Sequence, residues 1–345
     1  MKTFRFSLVA LVATAFFTAC YDEAVVEKRS NTGEAQEISF RLQGGTPETR
    51  ATATTLQNVD AFVVYGIDDV AYAGSGANIF EGVTVARQVG GGFDYNPKKY
   101  YSDGAGDAEF FAYSPVSAIA NISNVDATDL YTDASFDYEV VVPTTFGNTS
   151  QEDLLVAGIS VGTPSIAAVD LEFTHALSRI FVKATNTLSD NVVITGLTLK
   201  NLYSTGTITG APTGTPDDPW AWTWGSYGGK KDYSYVLAQT GVAVQAGVSP
   251  AILVTSMEQG MMVLPQATVN AGSATAFETG DFALEVTYNV ANLTGQTAYV
   301  VLPNNFPFLA NTQYAITITF SGSTLIEISF DIDVLPFDND STYPV

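Results

Sequence analysis

The sequence predicts an all-β protein of two β-sandwiches. Three observations predict it: short runs of β-branched and aromatic residues recur along the chain, Gly, Pro, Asn, Asp and Ser separate them, and no long amphipathic helix pattern follows Ala51. A break at Gly162-Thr163-Pro164-Ser165 divides the runs into two sets, so domains are expected at 51–165 and 166–345. A 345-residue chain that is 46% hydrophobic and 12% aromatic suits two globular domains and not a disordered tail.

The chain opens with a targeting segment. Lys2 and Arg5 form a basic start, and the apolar run at 6–17 is shorter than the roughly 20 residues a membrane-spanning helix needs. Residues 1–19 therefore read as a signal peptide, with Thr18-Ala19-Cys20 resembling a bacterial lipobox in which Phe17 replaces the commoner leucine. Cys20 is the only cysteine, so a disulfide within the subunit is impossible, and its thiol reads as a lipid attachment point to the outer membrane. Acidic Asp22 and Glu23 behind it resemble the surface-export signal of Bacteroidetes lipoproteins.

Residues 20–50 read as a propeptide that carries a strand. Ile38, Phe40 and Leu42 alternate with Glu37, Ser39 and Arg41, which puts three apolar side chains on one face of an extended segment. The breaker-rich linker at 44–49 follows, of the kind at which proteolysis concentrates, and ends in Arg50 and the small Ala51. A protease cutting after Arg50 would remove the strand and leave a domain lacking one of its elements.

Strands are expected at 59–65, 83–89, 109–113, 136–142 and 153–159 in the first domain. In the second they are expected at 169–173, 179–184, 192–199, 203–209, 233–239, 261–264, 282–288, 297–302 and 314–320. The Gly- and Pro-rich stretches 211–219 and 225–229 read as exposed loops. The last strand alternates most strictly: Ile326, Ile328, Phe330, Ile332 and Val334 share one face, opposite Glu327, Ser329, Asp331 and Asp333. Such a pattern specifies register strongly.

Composition excludes one class of partner. Basic residues number 14 against 36 acidic, and from Ala51 onward eight face 30, so the net charge is −22 in both cases. Such a surface repels phosphate backbones, and nucleic acid is not a partner. His175, the only histidine, reads as lying between two strands as a structural turn or packing residue, with no nucleophile motif such as GxSxG beside it. No enzymatic activity, cofactor or metal is expected: Asp68-Asp69, Asp217-Asp218 and 338–340 lack the spaced ligands of a calcium loop and read as solvated charge, and Gly90-Gly91-Gly92 reads as a turn. Trp220, Trp222 and Trp224 are spaced by two, which points all three to one side of an extended segment. Sandwich packing is the preferred account of them, and stacking on a sugar the alternative.

Several stretches resemble one family. These are ETRAT at 48–52, EFFAYSP at 109–115, DLLVA at 153–157, LEFTHALSRIFVKATN at 171–186, ITGLTLKNLYSTGTI at 194–208, MVLPQ at 262–266 and NTQYAITITF at 311–320. Together they resemble the fimbrillins, the type V pilus subunits of Bacteroidetes. The resemblance implies two stacked transthyretin-like β-sandwiches with Greek-key-like antiparallel sheets, exported as a lipoprotein and cut by a trypsin-like, arginine-specific protease. Loss of the first strand would open a groove that a C-terminal segment of a neighbouring pilus subunit fills. On this chain the cut maps to Arg50-Ala51, the removed strand to Ile38, Phe40 and Leu42, and the donor to the region from Leu325 onward. Where family members often close with a tryptophan-acidic pair, Leu335-Pro336-Phe337-Asp338 stands here. The expected function is a fimbrial subunit polymerised by strand exchange and supporting adhesion; the alternative is a non-polymerising, glycan-binding surface lipoprotein.

Overall fold

The computed structural model describes residues 36–336 except 43–58, 76–77, 143–150, 163–166, 216, 236, 239, 256–259, 269–276, 279 and 323–326. The signal peptide, Cys20, Arg50, Ala51, Ile326 and the expected domain boundary at 165 lie outside the described residues. The described residues belong to one compact unit.

The fold is all-β. From the first half of the chain come β1 (Phe40–Leu42), β2 (Ala61–Asp68), β3 (Phe80–Arg87), β4 (Phe93–Asp94), β5 (Ala108–Ser114), β6 (Ile122–Asp126), β7 (Ala134–Glu139) and β8 (Leu155–Val161). The second half supplies β9 (Val169–Leu171), β10 (Thr174–His175), β11 (Ser178–Asn186), β12 (Val192–Ala211), β13 (Ala221–Tyr235), β14 (Val242–Val244), β15 (Val248–Leu253) and β16 (Met261–Val263). It ends with β17 (Gln266–Ala267), β18 (Ala283–Val290), β19 (Leu293–Val301), β20 (Pro307–Phe308), β21 (Thr312–Ser321) and β22 (Glu327–Pro336). Among the described residues one short helix, α1 (Asp69–Ser75), and a 3-10 turn at Val116–Asn121 interrupt them. No described helix is long and apolar enough to cross a membrane.

In a six-stranded sheet, ordered β10-β8-β5-β2-β3-β4, the central strands β8, β5 and β2 are buried on both faces. That is why β5 and β8 carry near-continuous apolar runs in place of alternation. Phe62, Val64, Phe110 and Ala112 point into one core, closed by Ile38 and Phe40 and by Val169 and Leu171 of β9. Val63, Phe111, Tyr113 and Val156 point the other way, onto Phe136 of β7 and Ile208 of β12. The stacked contact of Phe111 and Phe136, 5.8 Å between centroids, marks that layer.

The twenty residues of β12 tie two stacked sandwiches together. Residues 205–210 pair with β7, while its first half pairs with β18 and β14. There it faces a second sheet, β15-β11-β21-β22, in which β11 and β21 run parallel over nine residue pairs. Tyr288 of β18 meets Phe320 of β21 edge-on at 5.1 Å.

Two expectations are corrected. Residues 192–199 and 203–209 form one strand, because the polar break between them is a bulge: Asn201 takes φ +60° and its N–H bonds Asp232 at 3.0 Å. The stretch 225–229 is not a loop but the middle of β13, paired with β12 through a register shift between Thr205 and Thr207. Gly229, at φ +60°, lets the strand pass over Ser204, where a Cβ would approach Ser204 Oγ to 2.9 Å.

Candidate functional site

The strand read as removable is the keystone of the first core. Ile38 and Phe40 are 1% and 4% exposed, and Leu42 is half-buried. The Phe40 ring sits among Phe62, Phe80, Tyr95 and Phe110 at centroid distances of 5.9, 5.4, 6.0 and 5.7 Å, all edge-on. Edge-on rings gain beyond the area they bury.

Its backbone is bonded on both sides. Ile38 N donates to Lys99 O and Tyr101 N to Gln36 O, both at 3.0 Å. Across the segment, β1 runs parallel to β9, with Phe40, Arg41 and Leu42 opposite Val169, Asp170 and Leu171, and Val169 N donates to Ser39 O at 2.8 Å. The Tyr95 hydroxyl donates to Ile38 O at 2.5 Å. Taking this segment away would leave a slot lined by rings and flanked by unpaired donors and acceptors, a template for another strand.

Ion pairs mark both ends of the slot. Arg41 holds Asp170 through two bonds of 2.5 and 2.6 Å, and Lys98 reaches Glu37 and Asp94, each at 2.6 Å. Hydrogen bonds that Lys98 donates to Asp94 and then Glu37 push its ammonium well above its ordinary value. Arg41, Glu37 and Lys98 are exposed to solvent, so these pairs contribute little stability. The strand is legible in the sequence but its slot is not, because Phe80, Tyr95 and Phe110 come from scattered segments whose only signal is aromatic content, and Lys98 carries no signal of its own.

The donor candidate is an edge strand. β22 lies antiparallel on β21 from Thr312↔Pro336 to Ser321↔Glu327, which sets Ile328, Phe330, Ile332 and Val334 opposite Phe320, Ile318, Ile316 and Tyr314. Ile332 is half-buried and Val334 is 57% exposed. An outer strand leaves with fewer broken ladder bonds than a central one.

The profile of the fimbrillin-like proteins matches residues 49–333, from the residue before Arg50 into β22. The chain belongs to the fimbrillin-like family. Its fold resembles a fimbrial protein from Bacteroides vulgatus, with a TM-score of 0.57 at 15% identity over 88% of this chain and 100% of that one. It also resembles a protein from Bacteroides ovatus assigned to cell adhesion, with a TM-score of 0.50 at 14% identity over 89% of this chain and 99% of that one. No curated protein matches the sequence.

In this fimbrillin-like chain the three tryptophans do share one side, and that side is inward. Trp220 is 4% exposed, while Trp222 and Trp224 are half-buried. Their floors are glycines: a Cβ on Gly158 or Gly210 would lie 2.4 Å from the Trp220 or Trp222 ring. Trp224 Nε1 donates to Ala176 O at 2.8 Å, and Trp220 Nε1 to Glu109 at 3.3 Å.

Glu109 is buried beside Trp220 and also accepts a 2.8 Å bond from Ser160 Oγ. Burial outweighs these bonds and pushes its carboxyl up from 4.5 to about 7. The folded chain therefore holds this proton more tightly than the unfolded chain. Its contribution to stability is complete below about pH 4.5 and is lost as pH rises towards 7. Glu109→Gln is expected to flatten the melting temperature across that window and to raise it at pH 8. An unchanged pH profile would show that Glu109 does not titrate there.

His175 lies on β10 and not in a turn, with Nδ1 2.8 Å from Asp153 Oδ2 and both side chains largely enclosed. Two residues past the Leu177 that follows, buried Arg179 bonds Gln313 Oε1 through Nε at 3.0 Å and a terminal nitrogen at 2.6 Å. Burial lowers the Arg179 guanidinium from its usual value, and Asp153 opposes that shift. These groups join β10, β11 and β21, which accounts physically for the HALSR stretch without assigning it chemistry. Asp68 is likewise buried and not solvated: its carboxylate accepts from Ala71 N at 2.7 Å, capping α1, and from Ser102 N at 2.6 Å.

Proposed function

We propose that this chain is a fimbrial subunit, exported as a lipoprotein through Cys20, cut between Arg50 and Ala51 by a trypsin-like, arginine-specific protease, and polymerised by donor-strand exchange to support adhesion. The observation that carries the reading is the position of β1. It completes a core and a ladder, yet the sequence joins it to the rest only through the linker that ends in Arg50.

Energetics favour release after a cut. Ile38 and Phe40 are the fully buried side chains of the strand, and at about 1.5–3 kcal/mol each they contribute on the order of 3–6 kcal/mol. For a free peptide that corresponds to dissociation constants between roughly 6 mM and about 40 μM, enough to hold while tethered and weak enough to be lost once cut and diluted. β22 carries alternating apolar residues to replace them and sits at a sheet edge. Family membership and the resemblance to a fimbrial protein and a cell-adhesion protein agree with the role.

Intact mass and N-terminal sequencing of the surface-exposed protein, with and without an inhibitor of arginine-specific proteases, test maturation. The expected mature chain begins at Ala51, and a Cys20-lipidated precursor accumulates when the protease is blocked. A chain that stays lipidated at Cys20 in both conditions would contradict the reading and assign the protein to a monomeric or anchoring lipoprotein.

A further inference from the structure

The two strands of the proposed exchange share the tetrapeptide Glu-Ile-Ser-Phe at the head of a similar six-residue run. Residues 37–42 read Glu-Ile-Ser-Phe-Arg-Leu and residues 327–332 read Glu-Ile-Ser-Phe-Asp-Ile. Three of the four shared side chains have an identified task in the slot. Glu37 pairs with Lys98, Ile38 is buried, the backbone carbonyl at Ser39 accepts from Val169 N as that of any residue there would, and Phe40 sits among four aromatic rings. We infer that the emptied groove is filled by residues 327–332 of a second copy of this chain, running parallel to β9 in the register that puts Ile328, Phe330 and Ile332 where Ile38, Phe40 and Leu42 lie. This rests on the strand-exchange reading and adds to it the partner, direction and register.

Alternative registers fit worse. A slip of two residues towards the C-terminus puts Phe330 in the Ile38 site, Ile332 among the four rings and Ser329 before Lys98. A slip of one turns every apolar side chain to the wrong face. Only the matched register returns a phenylalanine to the aromatic cage and a glutamate to Lys98.

The one reversed position has a consequence. Asp331 takes the place of Arg41, directly across the ladder from Asp170, so two carboxylates replace a two-bonded ion pair. Like charges opposite each other destabilise a strand pair. Docking of one copy on another is therefore opposed at this point and eased by salt.

The full chain carrying Asp170→Cys and Asp331→Cys, cleaved at Arg50, tests the register. Cleavage removes Cys20, so the introduced thiols are the only ones present. A short thiol-specific cross-linker is expected to give a ladder of covalent multimers, and Asp170→Cys with Asp333→Cys is expected to give none. Asp331 is exposed and Asp170 half-buried at the surface, so the substitutions leave the core intact. As a second arm, Asp331→Arg restores the lost pair and is expected to assemble several-fold faster at low salt. Asp133→Arg, the same charge change in an exposed turn, is expected to give a smaller gain. Polymers that form without the 170–331 cross-link would overturn the register while leaving strand exchange standing. A cross-link confined to monomers would replace the second copy with the chain's own segment. If the cleaved, unsubstituted chain forms no polymer, the exchange reading falls and the inference falls with it.

Discussion

Phe40→Ala is expected to lower the stability of the uncleaved chain by about 3–5 kcal/mol, the range for emptying a buried aromatic site. The side chain contacts four aromatic rings contributed by β2, β3, β5 and the segment after β4, so no single neighbour can collapse into the space. Leu42→Ala, at a half-buried position, is expected to cost less than half as much. Urea denaturation of the precursor, read by near-ultraviolet circular dichroism, measures both. The contrast also bears on function: if a phenylalanine at this site is what an incoming strand must supply, its removal from the precursor should raise the rate of strand exchange after cleavage. A loss below about 1 kcal/mol would mean that β1 does not hold the first core together.

Trp220→Ala is expected to be as damaging, about 3–5 kcal/mol, for a different reason. The indole lies against Gly158, where the chain leaves room for it and for nothing else, and it donates to a buried carboxylate. Truncation empties a site between the six-stranded sheet and β13 and deprives Glu109 of a donor. Thermal unfolding checks this directly. A folded Trp220→Ala protein of unchanged stability would instead free the tryptophan run for a surface role, and glycan binding by the intact lipoprotein would become the better account.

Much of the fold was legible in the sequence because β-branched and aromatic runs separated by turn residues leave few alternatives. What resisted reading has physical causes. β5 and β8 are buried on both faces, so their apolar runs show length but not which face meets which core. β12 looked like two strands because a bulge at Asn201 carries the same polar residues as a turn. The glycines of β13 looked like a loop because close strand crossing and turn formation call for the same residue. The alternation of Ile38, Phe40 and Leu42 was read from 37–42 alone, whereas the cage around Phe40 was not, since its members are drawn together only by the tertiary fold. Asp68 shows the limit for charge: an acidic pair in sequence gives no sign that one member will cap a helix from inside the protein.

The measurement that tests the central claim most directly is the sizing of the full chain before and after cleavage at Arg50, beside an Arg50→Ala chain treated identically. The account predicts a monomer before cleavage, a series of oligomers lacking residues 36–42 afterwards, and a persistent monomer for Arg50→Ala. A cleaved chain that remains monomeric and keeps the 36–42 peptide in its groove would contradict it.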